Sequence, residues 1–296
     1  MKRHAYLILA HNNFAQLRKL IELLDDPRND IFIHIDKKAK FNPQKGWNTV
    51  CKYSKLTFLQ KRLKVNWGGA SIMHSEIALL KAATSAGNYD YYHLLSGMDL
   101  PIKDQDTIHA FFSKNAGKEF IDYCEVNDDM MNRVIWYTPF NERERNFIFH
   151  AINKTCRILQ KIAGHSINQN IDFKYASQWF SITDGLAKYI ISKEEWLTEV
   201  FDHTIICDEI FLPTVTWMSP FKDNIFGMND GHQNGNGNMR FIDWSRGGDI
   251  RHPWTFRNDD WERLMNVPYL WARKFNEKVD NEIIDRIYRK LKKDGD

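Results

Sequence analysis

The first 125 residues hold the pattern that most restricts this chain's fold. Short apolar runs, "AYLILA" (5–10), "DIFIHID" (30–36), "KLTFLQ" (55–60), "YYHLLS" (91–96) and "EFIDYCE" (119–125), are separated by stretches of helical character. Runs of this length are too short for buried helices and too continuous for strands with one wet face. They read as strands, with 5–10 and 91–96 as buried ones. Between them, "NFAQLRKLIELLDD" repeats Leu17, Leu20, Ile21 and Leu24 on one face, and "SIMHSEIALLKAATSAG" sets Ile72, Ser75, Leu79 and Ala82 on one side. Alternating strands and helices with short connections give an α/β fold, a mostly parallel sheet flanked by helices.

The second half is less regular. "NERERNFIFHAINKTCRILQKIAG" and "DGLAKYIISKEEWLTEVF" read as helices, "ASQWFSIT" as a strand, and the Gly- and Asn-rich "GMNDGHQNGNGNMR" (227–240) as a loop. No repeat and no long linker divides the chain. We therefore expect one domain over 1–296, with 1–125 as a nucleotide-binding half and 126–296 as an acceptor-binding and catalytic half.

Several function classes are excluded early. A net charge of +3 is too small for a strongly basic nucleic-acid binder. The four cysteines form no CxxC pair, which argues against zinc and for free thiols in a reducing compartment. The apolar run Ala5–Ala10 is too short for a signal peptide or a membrane span, so the expected location is cytoplasmic. No P-loop, no GxGxxG after a strand and no HExxH occurs. The DxD at Asp104-Gln105-Asp106 lies before a helix, where Asp104 reads as an N-cap rather than a metal ligand.

The stretches "ILAHNN", "IFIHIDKKAK", "NWGGAS", "YYHLLSGMDLPIK", "SQWFSIT", "CDEIFLPTV" and "WARKFN" follow one another in this order from residue 8 to 276. Together they resemble the Core-2/I-branching family of glycosyltransferases, which contains β-1,6-N-acetylglucosaminyltransferases and peptide O-xylosyltransferases. The resemblance implies a GT-A-like fold, a UDP-sugar donor, inversion at the anomeric carbon, and no metal or other cofactor. It implies that Glu209 is the general base and that Arg251 and Lys274, 23 residues apart, hold the diphosphate, with Arg273 as a basic neighbour. Leu9 and Asp36 match nucleoside contacts, and Val65, Asn66 and Trp67 a donor-lining segment before Gly68-Gly69, which would let backbone approach the ligand.

From the residues alone, Asp208 and Glu209 equally suit a helix N-terminus, and neighbouring helical side chains point about 100° apart, so only one faces a site. Asp99 suits either a sugar hydroxyl or the amides of its own turn. Trp179 suits either sugar stacking or the core. Gln178 stands where xylosyltransferase-like members carry Asp, which favours N-acetylglucosamine over xylose as the donor sugar. Without the membrane anchor and disulfide cysteines of the animal members, the expectation is a bacterial enzyme of surface polysaccharide assembly. Its acceptor would be a saccharide, free or lipid-linked. The C-terminal helix, with Ile283, Ile284, Ile287, Tyr288 and Leu291 on one face, either docks on its own domain or touches an anionic membrane. The rival readings are a non-catalytic saccharide-binding protein, which needs no base, and a hydrolase, which needs no diphosphate cations.

Overall fold

The computed structural model describes residues 3–42, 46–228, 235, 237–246 and 252–293. With elements numbered in chain order, β1 (His4–Ala10), β2 (Asn29–Ile35), β3 (Lys55–Phe58), β4 (Tyr91–Ser96), β6 (Phe120–Cys124) and β7 (Tyr175–Thr183) form one sheet in the order β3-β2-β1-β4-β7-β6. β1 runs parallel to β2 and β4, and β2 parallel to β3. β7 runs antiparallel to both β4 and β6. This is the α/β arrangement expected from the alternation of strands and helices, with one reversed strand from the second half set between two strands of the first.

Alternate residues of each strand feed opposite cores, as a pleated strand requires. Leu7, Phe32, Tyr92 and Leu94 pack into one core, roofed by α2 (Ser71–Ala86), α6 (Asp184–Ser192), α7 (Glu194–Phe201) and α8 (Phe211–Trp217). Tyr6, Ile8, Ile31, Ile33 and Leu95 pack into the other, with α1 (Phe14–Leu24), α3 (Gln105–Lys114) and α10 (Asn281–Lys293). Ile283, Ile284 and Ile287 of α10 are fully buried there, and the Tyr288 hydroxyl donates to Glu22 at 2.7 Å. The C-terminal helix docks on its own domain. Among the described residues no helix is long and apolar enough to cross a membrane.

A second, small sheet, β5-β9-β8, joins β5 (Asp99–Pro101), β9 (Trp271–Arg273) and β8 (Arg240–Ile242). β9 is antiparallel to β5, so Arg273 stands opposite Asp99.

Several helix ends differ from the sequence reading. The stretch 184–201 breaks at Lys193 into α6 and α7, and Glu194 and Glu195 occupy the first turn of the new helix, where acids oppose the positive dipole end. The helix expected from residue 141 begins instead as α5 (Phe147–Ile162), because the Asn146 side chain accepts from the amides of Ile148 and Phe149. Asp104 does cap α3, accepting from Thr107 N at 2.7 Å, and Asp106 pairs with Arg28. On α2 the buried side is Met73, Glu76, Ile77, Leu80 and Ala83 with Ser75 and Leu79, while Ile72 and Ala82 are only half-buried. The helix is covered by both the sheet and α6, so its apolar arc is wider than one stripe. Of 227–240, residues 229–234 and 236 lie outside the described residues.

Candidate active site

Parallel strands deliver their carboxyl ends to one edge of the sheet, where open α/β sheets bind ligands. Leu9 pairs in register with His34 and Ser96, and the Asp36 amide donates to the Ala10 carbonyl at 2.9 Å. Because β7 is reversed, its beginning reaches the same edge and brings Tyr175, Gln178 and Trp179 with it. Its pairing with β6 is irregular there: Ile121 faces Phe180 but Tyr123 faces Ala176. A bulge of this kind re-aims side chains and is common beside active sites.

The surroundings of Asp36 are organised by a lysine the sequence did not single out. Asp36 is buried, and its Oδ1 accepts from the Lys38 amide at 2.8 Å. The Lys38 ammonium lies 3.5 Å from Asp36 Oδ2, donates to the Val65 carbonyl, and reaches Asn66 Oδ1 at 3.2 Å. Asp36, Val65 and Asn66 are thereby brought together. Trp67 stays 53% exposed, with the Arg145 guanidinium 4.5 Å over its ring.

The Gly68-Gly69 turn packs against Glu142 at its second glycine. The Glu142 carboxylate accepts from Asn66 Nδ2 (2.9 Å), the Ser71 amide (2.7 Å) and the Ser71 hydroxyl (2.8 Å). A Cβ at residue 69 would lie 2.4 Å from that carboxylate. Gly69 makes room for Glu142. Ser71 does not cap α2. Ala70 holds the cap position, and the serine hydroxyl is spent on Glu142.

The cation side centres on Arg273. Its guanidinium donates to Asp99 Oδ1 at 2.8 Å and to the Ser96 hydroxyl, and it covers the Trp179 ring at 4.2 Å. Asp99 also accepts from the Ser96 amide and hydroxyl, both at 2.8 Å, so its carboxylate serves its own turn. Trp179 is buried, with Arg273 over its face. The Lys274 pKa is lowered by burial and then by Arg273. Among the described residues nothing forms an ion pair with its ammonium. Arg251 lies outside the described residues. Arg240, not singled out in the sequence, is buried at the root of this flank. It donates to the Leu94 carbonyl at 3.1 Å and to the carbonyls of Asn238 and Phe180, and desolvation drives its pKa down to about 9.

On the carboxylate side, Glu209 ends a 3-10 turn, Cys207–Glu209, just before α8. Arg133 Nη1 donates to its Oε2 at 2.9 Å and the Tyr175 hydroxyl to the same oxygen at 3.1 Å. Nothing among the described residues donates to Oε1. Asp208 points elsewhere. Its Oδ1 is buried without a partner, and desolvation, reinforced by the Glu209 charge, pushes its pKa up to about 7. Glu76 on α2 is wholly buried. Its Oε1 accepts from Gln178 Nε2 at 2.7 Å, its Oε2 has no partner, and burial, then the nearby Asp208, holds its pKa well above the carboxylate range. An Asp at 178 would set a third carboxyl in this desolvated pocket, whereas Gln178 donates. Gln178 is thus tied to Glu76.

The expected residues other than Arg251, which lies outside the described residues, therefore lie along one edge but as three groups. Glu209 is met by Tyr175 at the start of β7, and Arg273 covers Trp179 four residues further along the same strand. Lys38, Glu76, Arg133, Glu142, Tyr175 and Arg240 were missed. Tyr175 directly precedes a run read as a strand, while Arg133 and Glu142 sit in charged stretches that resemble any solvated surface.

The chain belongs to the Core-2/I-branching enzyme family, whose model matches residues 4–266. It is 23% identical over 299 residues to xylosyltransferase 2 of Rattus norvegicus, covering 96% of this chain and 33% of that protein. It is 22% identical over 303 residues to xylosyltransferase sqv-6 of Caenorhabditis briggsae, covering 94% of this chain and 35% of that protein. The chain spans about a third of the length of these curated relatives. Among solved structures it is similar to mouse xyloside xylosyltransferase 1 in its apo form, at 10% identity and a TM-score of 0.39, over 92% of this chain and 97% of that one.

Proposed function

We propose that this chain is an inverting glycosyltransferase that moves N-acetylglucosamine from a UDP-sugar to a saccharide hydroxyl, without a metal, in surface polysaccharide assembly. The carrying observation is Glu209: one carboxylate oxygen is fixed by Arg133 and Tyr175, and the other is unengaged among the described residues. The acceptor hydroxyl gives its proton to Oε1 as its oxygen attacks the anomeric carbon from the face opposite UDP. The new C–O bond forms as the bond from that carbon to the β-phosphate oxygen breaks. Arg133 and Tyr175 hold the carboxylate in the attacking geometry, which removes an orientational cost from the step. Lys274, assisted by Arg251, neutralises the charge that grows on the departing diphosphate. The DxD at 104–106 is occupied in capping α3 and pairing Arg28, which supports a cationic rather than a metal-bridged diphosphate.

The relatives' names specify xylose transfer. The Gln178–Glu76 contact supports a different sugar pocket here. A thermal-shift screen of UDP-sugars, followed by transfer assays with and without EDTA, tests the reading. UDP-N-acetylglucosamine is expected to stabilise more than UDP-xylose, and turnover to survive chelation. Complete loss with EDTA, restored by manganese, would overturn the metal-free mechanism.

A further inference from the structure

Helix α5 is turned the wrong way round for a soluble helix. At about 100° per residue, Phe147, Ile148, Ala151, Ile152, Ile158, Leu159 and Ile162 fall within one arc of about 140°, and that arc faces away from the protein. Phe147 is 85% exposed, Ile162 78%, Ile148 64% and Leu159 61%. The polar side is the one turned inward. Asn153 is buried and donates to the Phe140 carbonyl and Glu144, while Gln160 accepts from the Tyr137 amide and donates to its carbonyl. Arg157 pairs with Glu144. Scattered exposed apolar residues need no explanation, but a contiguous apolar face of this kind marks an interaction surface.

The charges along the helix indicate what covers it. α5 carries no Asp or Glu, and Lys154 and Lys161 are both exposed along one margin of the apolar arc. Arg143 and Arg145 lie exposed just before its start. Exposed Tyr137 and Phe140 add two aromatic rings beside it. An apolar arc bordered by cations and neighbouring aromatics matches the headgroup and acyl boundary of an anionic bilayer. An antiparallel pair of α5 helices from two copies would instead set the two lysine rows against each other.

We infer that α5 lies in the plane of an anionic lipid surface and anchors the protein there. The helix is coupled to the cleft through the segment before it: Arg133 holds Glu209, and Glu142 holds the start of α2. Lipid docking would then present the cleft to acceptors at that surface.

The test is co-sedimentation of the full chain with vesicles of phosphatidylcholine and phosphatidylglycerol, and with phosphatidylcholine alone. The parent protein is expected to bind the anionic vesicles, less so at high salt. Ile148→Gln/Leu159→Gln/Ile162→Gln is expected to weaken binding about tenfold or more, and Lys154→Glu/Lys161→Glu by a similar factor. Both variants alter exposed positions and are expected to melt like the parent. The inference is overturned if the apolar triple variant binds as well as the parent. It is equally overturned if the parent ignores anionic vesicles, including the case in which it is a dimer that the triple variant dissociates, which would make α5 an interface between copies.

Discussion

The two flanks of the cleft treat charge in opposite ways. On the cation flank, Arg273 is fixed by Asp99, Ser96 and Trp179, and Lys274 beside it has no ion-pair partner among the described residues. On the carboxylate flank, Glu209 is fixed through one oxygen, while Glu76 Oε2 and Asp208 Oδ1 are buried without hydrogen-bond partners among the described residues. A charge with rigid partners sets geometry. A cation left unpaired awaits an anion, and a desolvated acid holds its proton, because burial disfavours the ionised form. One flank thus carries a cation without an ion-pair partner among the described residues, and the other holds two acids toward their protonated forms.

The largest effect should come from the carboxylate flank. Glu209→Gln keeps the shape and both donors but cannot take a proton. Transfer is expected to fall by about 10²–10⁴, with UDP affinity by calorimetry unchanged. A carboxamide variant that transfers at the parent rate would move the base away from Glu209.

Next comes the pin on the other flank. Arg273→Gln leaves the buried Asp99 carboxylate without its cation, at a cost of about 2 kcal/mol, or roughly 5 °C in melting temperature. If melting is unmoved, Arg273 is free to serve a ligand and the contrast between the flanks weakens. Lys274→Ala should leave melting nearly unchanged while UDP affinity drops about tenfold, the worth of one charged hydrogen bond. Unaltered affinity would show that the unpaired cation is only a surface charge.

The smallest effect is a slope. Asp208 has its pKa raised to about 7 in the folded chain, against about 3.9 when unfolded. Between these values the folded state binds more protons than the unfolded one, so stability falls as pH rises from about 4 to about 7 and levels off above. Glu119 and Asp122, raised to about 7 and about 6 by burial, contribute in the same window. Asp208→Asn should flatten part of that slope in denaturation measurements at stepped pH, with transfer little changed. An identical slope in the variant would mean that Asp208 is ionised and paired in solution.

The strands were legible because strands buried on both faces must be nearly continuous apolar runs. β1, β2 and β4 lie within a residue of where those runs begin and end. Asp104 was legible because a cap acts on its own neighbours. Glu76 was not, since a Glu in a helix reads as solvent-facing until Gln178, 102 positions away, is known to donate to it. Arg240 needs carbonyls from three separate segments. α5 and α10 show a further limit. Both have clear helical periodicity, but periodicity does not say which side faces in. α10 buries its isoleucines, and α5 presents its own to the outside.

The place of β7 in the sheet also bears on how the chain is made. β6 is complete at Cys124, yet its only neighbour in the large sheet, β7, begins at Tyr175, so 175 − 124 = 51 positions separate the end of one from the start of the other. During synthesis at about 5–20 residues per second, β4 and β6 wait several seconds with open edges while α4 (Asp128–Val134) and α5 emerge. Unpaired edges are templates for wrong partners. The nascent chain is therefore most vulnerable to aggregation in this interval, and a pause in translation just before residue 175 would prolong it.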